Sequence, residues 1–126
     1  MLGNKLALVT IPVKDIDRAR KFYAGTLGLT PAESREQGTA AFKNGSSEIL
    51  VYESTFAGTN QATATTWMVG PDVDRIARGL KEKGVAFEHY DFLEGMKLEG
   101  DVYSSDTMKV AWFKDPDGNI HALVSG

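Results

Sequence analysis

Asp15-Ile16-Asp17-Arg18 and Asp72-Val73-Asp74-Arg75 are two copies of one phrase, Asp-x-Asp-Arg, starting 57 positions apart (72 minus 15) in a chain of 126 residues. Each copy follows a short apolar run and opens a stretch whose apolar residues recur at helical spacing. A second echo supports the first. Phe42-Lys43 precedes Gly45 and the apolar run 49–52, as Phe113-Lys114 precedes Gly118 and the run 120–124. That pair is offset by 71 positions (113 minus 42), so the second half holds about fourteen extra residues between its helix and its last strands. The pattern reads as a duplicated half-domain. Duplication brings two like surfaces together, and their seam is a natural place for a ligand.

The elements follow from local signals. Residues 6–13 form a near-continuous apolar run of strand length. Asp15 is a good helix N-cap, and Ile16, Ala19, Tyr23 and Leu27 continue at helical spacing until Gly28 stops the helix. Segments 31–36, 39–43 and 48–53 read as strands, the last two joined at Asn44-Gly45, a hairpin signal. Residues 54–64 are small and polar and connect the halves. Strand 65–70 leads to Asp72, which is expected to cap a helix carrying Val73, Ile76, Ala77 and Leu80 and closed by Gly84. Strand 85–90 follows. The stretch 91–107 absorbs the extra length, partly as strand near 98–103. Strands 108–113 and 119–124 form a final hairpin across Asp115-Pro116-Asp117-Gly118, where Pro presets φ and Gly accepts a positive φ. The fold class is therefore α+β, two tandem β-α-β-β-β modules at about 5–54 and 64–126 within one domain.

Composition narrows the function. Net charge is −3 with 25% charged residues and no block of like charges, so neither nucleic acid nor an anionic membrane is an expected partner. The chain has no cysteine, which removes disulfides, thiolate nucleophiles and thiolate metal sites. No apolar run approaches the roughly 20 residues that span a bilayer, and the N-terminus lacks a cleavage pattern. A cytoplasmic protein acting on a small molecule is expected.

The opening strand, the Val13-x-Asp15-Ile16 entry into a helix ending Phe22-Tyr23-x-x-x-Leu27-Gly28-Leu29, and the closing Phe113-x-Asp115-Pro116-Asp117-Gly118-Asn119 together resemble the vicinal-oxygen-chelate superfamily. That group contains glyoxalase I, methylmalonyl-CoA epimerase, extradiol dioxygenases, fosfomycin-resistance enzymes and bleomycin-resistance proteins. The resemblance covers essentially the whole chain. It implies curled mixed sheets around a cavity, commonly completed by a second subunit, and in catalytic members a divalent metal that polarises vicinal oxygens of the substrate. By the same resemblance the four metal-ligand positions fall on Leu8, near Ile49, on Thr65 and on Ala122. Leu, Ile and Ala offer no electron pair, and a lone Thr does not hold a metal. No metal and no cofactor are expected.

The remaining candidates are few. His89, near the cavity rim, and Glu53, at a strand end, are candidate bases, with a surface role as the alternative for each. His121 is expected to point toward the helices as a structural residue. Asp115 and Asp117 are explained by their turn. Strand parity places Thr10 with Leu8, Val51 and Glu53 with Ile49, and Trp67 with Thr65, all toward the cavity. Phe56, Phe92, Met96 and Trp112 fall near its mouth. The expected ligand-binding set is thus Thr10, Val51, Glu53, Phe56, Thr65, Trp67, Phe92, Met96 and Trp112, an apolar lining suited to a flat or aromatic ligand. The first reading is a metal-free homodimeric binding protein that resembles the bleomycin-resistance type, with its ligand at the module or dimer interface. The alternative is a glyoxalase-like isomerase, lyase or dioxygenase-fold enzyme using Glu53, His89 or an unrecognised metal site.

Overall fold

The computed structural model describes residues 1–33, 36–91 and 93–126. The chain divides into two compact units, Met1–Gly58 and Thr59–Gly126. Each is an α+β arrangement of one mixed sheet with a helix packed on it.

In the first unit the Asp15 carboxylate accepts the backbone N–H groups of Asp17 and Arg18 at 3.0 and 3.1 Å, the capping role its sequence position implies. Helix α1 (Ile16–Arg20) then widens directly into a π-helical turn, Lys21–Thr26. The expected single α-helix through Leu27 is corrected by this turn, in which the Leu27 N–H reaches back five residues to the Phe22 carbonyl at 2.8 Å. Phe22 and Tyr23 are both buried there, with their rings edge to face at 5.3 Å. Gly28, at φ 77°, ends the segment.

Strands β1 (Val9–Val13), β2 (Thr30–Ala32), β3 (Thr39–Asn44) and β4 (Ser47–Glu53) form a sheet in the order β1-β4-β3-β2. Only β1 and β4 run parallel. Ile11, Val13, Phe42, Ile49 and Val51 are buried on one side of this sheet, where Tyr23 meets Phe42 at 5.8 Å. The first strand begins later than its apolar run suggests, and the residues before it lie open: Leu6 is 97% and Leu8 49% exposed. The strand expected at 31–36 shortens to Thr30–Ala32, and residues 34 and 35 lie outside the described set.

The second unit contains β5 (Thr63–Met68), α2 (Val73–Glu82), β6 (Phe87–Glu88), β7 (Lys97–Glu99), β8 (Val102–Ser104), β9 (Lys109–Lys114) and β10 (Ile120–Val124). Its sheet runs β5-β10-β9-β8-β7, and β6 also pairs with β9. Two expectations change here. Asp72 makes no side-chain cap; a 3-10 turn, Gly70–Asp72, feeds α2 instead, and the Asp72 carboxylate pairs with Arg75 at 3.2 Å. The extra residues are also more than one strand, forming a β7–β8 hairpin within the β-α-β-β-β plan of the second half. Strands β6 and β8 occupy successive stretches of the same edge of β9. The closing turn is held as its sequence suggests. Buried Asp115 accepts the N–H groups of Asp117 and Asn119 at 2.9 and 2.8 Å and the Asn119 amide at 2.7 Å.

Candidate functional site

Which side chains share a surface is decided by strand register. Between β10 and β5 the register shifts: Ile120 lies beside Thr63, but the next residue, His121, lies beside Thr65. One extra residue on β5, Ala64, makes this bulge, and it turns the following side chains to the opposite faces from those a straight count gives. Thr65 and Trp67 therefore share a face with His121 and Leu123, and with Phe113 and Ala111 of β9. Thr66 and Met68 share the other face with Ala122, Val124, Trp112 and Val110.

The first of these faces is dry and packed. Ala111 and His121 are 0% exposed, and Phe113 1%. The His121 ring stacks on Phe113 with centroids 5.0 Å apart and planes 7° from parallel. The Trp67 indole N–H donates to His121 Nδ1 at 3.1 Å. An acceptor at Nδ1 means a neutral imidazole protonated on Nε2, and burial pushes its pKa down to about 4. His121 is thus a core residue, as its neighbourhood in the sequence suggests. Trp67 and Thr65 are corrected: they join this stack and do not line the surface that carries Ala122.

The opposite face is an aromatic shelf. Tyr103, Val110 and Ala122 form its buried floor, with Leu93, Met96, Trp112 and Val124 packed against them. Trp112 stands between Tyr90 at 5.3 Å and Tyr103 at 5.7 Å, each ring edge to face with it. The Tyr103 hydroxyl accepts the Tyr90 N–H and donates to the Tyr90 carbonyl, fixing the segment after β6 that carries Tyr90. Across the strands one row of side chains reads Glu88, Trp112, Ala122, Thr66. Glu88 pairs with Lys114 at 3.2 Å. Burial raises the Tyr90 phenol above its ordinary pKa, and the Glu88 charge raises it further.

His89 borders this shelf. Its Nε2 lies 2.8 Å from Asp101 Oδ1, its ring stands edge to face with Tyr103 at 6.3 Å, and Lys81 reaches the other Asp101 oxygen at 3.2 Å. The hydrogen bond from His89 holds the Asp101 carboxyl below its ordinary pKa, with Lys81 acting the same way against desolvation. In chemical terms this is an imidazole oriented by a carboxylate, an arrangement that can serve a general base.

The other expected residues scatter. Val51 is fully buried on the Tyr23–Phe42 side of the first unit's sheet, so it has no surface to offer a ligand. Thr10 is exposed on the other side of that sheet, beside Leu50. Glu53 is exposed at the end of β4, on a shallow groove of about 430 Å³ with Lys14, Ser54 and Thr55. Phe56 is 75% exposed. Met96 and Trp112 are on the shelf, and Phe92 lies outside the described residues. The sequence reading missed Glu88, Tyr90, Leu93, Asp101 and Tyr103. Glu88 and Tyr90 were accessible from parity, since two residues apart on a strand share a side.

The metal positions can be tested by the same register. Val9 lies beside Ile49, so the residues turned the same way as Leu8 are Glu48 and Leu50, and Ile49 belongs to the core. Thr66, not Thr65, stands beside Ala122. The donor set these positions offer is one carboxylate and one hydroxyl among aliphatic groups, which does not fit a site requiring several oxygen or imidazole ligands. Among the described residues no three His, Cys, Asp or Glu side chains converge as a metal-binding group, and no helix is long and apolar enough to cross a membrane.

Comparison with known proteins places this geometry in context. The family model described as Glyoxalase/Bleomycin resistance protein/Dioxygenase superfamily matches residues 5–123. No curated protein matches the chain. Among solved structures, a glyoxalase family protein from Enterococcus faecalis is 18% identical, with 98% of this chain and 99% of that one covered at a TM-score of 0.72. The fosfomycin resistance protein FosX from Mesorhizobium loti is 14% identical, covering 98% and 92% at 0.70. Lactoylglutathione lyase from Agrobacterium tumefaciens is 15% identical, covering 98% and 96% at 0.71. At these identities the likeness is one of fold.

Proposed function

Because the chain belongs to the Glyoxalase/Bleomycin resistance protein/Dioxygenase superfamily, we propose that it is a metal-independent member of that family which sequesters an apolar or aromatic small molecule, in the manner of bleomycin-resistance-type proteins. The observation that carries this reading is the row Glu88, Trp112, Ala122, Thr66. Where the family resemblance implies metal donors, this row presents a methyl group and a hydroxyl beside an indole. Tyr90, Met96 and Trp112 are only partly covered and give a planar ligand an edge to stack on. A homodimer acting in the cytoplasm is part of the same proposal.

The two tryptophans make the test direct, since one sits on each face of the sheet. In a Trp67→Phe variant all tryptophan emission comes from Trp112. Titration with a panel of aromatic compounds should give saturable quenching for at least one of them. A binder at 100 times its dissociation constant should add about 2.7 kcal/mol of stability. A flat response across the panel, or a stoichiometric divalent ion in protein purified without chelator, would overturn the reading.

A second reading, an isomerase or lyase of this fold, is favoured by one observation, the 2.8 Å pairing of His89 with Asp101. Glu53, exposed at a strand end, has no such support. If His89 is a general base, His89→Gln should lower turnover of any substrate found by screening by about 100-fold or more. Turnover unchanged in that variant would remove His89 from the chemistry.

A further inference from the structure

The polar end of the aromatic shelf carries information about the ligand that its apolar floor does not. Glu88 is the strand neighbour of Trp112, and Tyr90, two residues on, contacts the same indole at 5.3 Å. The carboxylate is close enough to Tyr90 for its charge to disfavour the phenolate. One carboxylate and two partly covered aromatic rings therefore border one place. The cation that now meets Glu88 is Lys114, at 3.2 Å, and the two are unequally held: the Glu88 side chain is 29% exposed and that of Lys114 45%. Lys114 is the last residue of β9, and its four-carbon stem can carry the ammonium into water while the shorter glutamate stays at the shelf.

We propose that Glu88 makes the shelf selective for aromatic ligands bearing an ammonium group, with Lys114 as an intramolecular stand-in that such a ligand displaces. This rests on the ligand-binding reading given above. An ammonium at that point gains a charge-assisted hydrogen bond to Glu88 and the faces of Trp112 and Tyr90, which attract a cation within about 6 Å of a ring centre. A neutral ligand leaves the Glu88–Lys114 pair intact and gains only stacking. An anionic ligand meets Glu88 as a like charge. Lys114 is then a competitor as well as a partner, so removing it should help a cation to bind while removing Glu88 should hurt. A pair with a purely structural role would not give opposite signs.

Three probes sharing one ring system separate these cases by calorimetry with the intact chain: biphenyl-4-ylmethylammonium, biphenyl-4-ylmethanol and biphenyl-4-carboxylate. The ammonium should bind about tenfold more tightly than the alcohol, the carboxylate most weakly, in line with the strength of charge-assisted contacts. Glu88→Gln should erase the difference between ammonium and alcohol, and Lys114→Met should enlarge it. Equal affinities for the three probes, or a preference for the ammonium that survives Glu88→Gln, would overturn this inference and leave the ligand-binding reading standing. Failure of all three to bind would overturn both.

Discussion

The sheet of the second unit places one tryptophan on each side, and the two live in different chemistry. Trp67 donates its indole proton to a histidine that is itself stacked on Phe113, among residues that are almost fully buried. Trp112 stands among Tyr90, Tyr103 and Met96 with a carboxylate as its strand neighbour, and it remains partly uncovered. The same residue type is thus a structural element on one side and a candidate recognition element on the other. Both rings are partly covered, and what separates them is hydrogen-bond satisfaction and the groups around them, not identity. An indole that has found its acceptor is satisfied, whereas a partly covered one beside a carboxylate and two phenol rings can still gain by binding.

The sharpest way to break this contrast is truncation. Phe113 is 1% exposed and supports both His121 and Phe87, whose rings lie 5.0 and 5.7 Å away. Phe113→Ala should cost about 3–5 kcal/mol in denaturant unfolding, the range for deleting a buried aromatic ring. Trp112→Ala should cost about half as much, because part of its surface already faces water, but should abolish the binding signal. Equal losses at the two positions would mean that the shelf is as closed as the core.

Acid should attack the packed side first, before it reaches the Asp101 carboxylate at the shelf's border. His121 has a folded pKa of about 4, below its ordinary value of 6.5, so the unfolded chain binds a proton more readily than the native one. Stability is then complete above about pH 6.5 and falls as pH drops from there toward 4. The difference of roughly 2.5 units corresponds to about 3 kcal/mol at the acid end. Chemical denaturation at a series of pH values should show that slope, and His121→Phe, which keeps the stack, should remove it. A slope unchanged in the variant would assign the acid sensitivity elsewhere.

This contrast also marks the limit of what was legible in the residues. The α+β class, the Asp15 cap, the Asn44-Gly45 hairpin and the Asp115–Asn119 turn were readable because each is decided within a few residues. The structural role of His121 was readable from its place next to Ala122 on one strand. The faces of Thr65 and Trp67 were not. Counting back from Asp72 treats the two repeats as equal, but the second inserts the Gly70–Asp72 turn before its helix and the Ala64 bulge within its strand. Ile49 was misplaced for a related reason: its pairing with Val9 joins strands about forty residues apart, and nothing local specifies that register. The shelf itself is assembled from the β6, β8, β9 and β10 segments and from Leu93 and Met96, and the chain's extra length hid that convergence.

A smaller effect tests how firmly the shelf is held. The Tyr103 hydroxyl bonds both backbone groups of Tyr90, and it is what aligns the Tyr90 ring with Trp112. Tyr103→Phe keeps the packing and removes those bonds, so a loss of about 1 kcal/mol is expected, with weaker ligand binding because the Tyr90 ring is freed. Binding unchanged in Tyr103→Phe would mean that Tyr90 contributes nothing to recognition.

The smallest stability change belongs to the pair on which the ligand inference depends, and its smallness is what makes that inference testable. Glu88 and Lys114 are both partly exposed, and exposed ion pairs contribute between zero and about 1 kcal/mol. Glu88→Gln retains the shape of the side chain and its hydrogen-bonding capacity, so its unfolding midpoint should lie within about 0.5 kcal/mol of the parent protein. A loss of ammonium binding in a variant of unchanged stability can only be a change in recognition. A loss of several kcal/mol would instead make Glu88 part of the scaffold. It would then resemble the His121 side of the sheet more than the Trp112 side, and the distinction between the two faces would no longer hold at this edge.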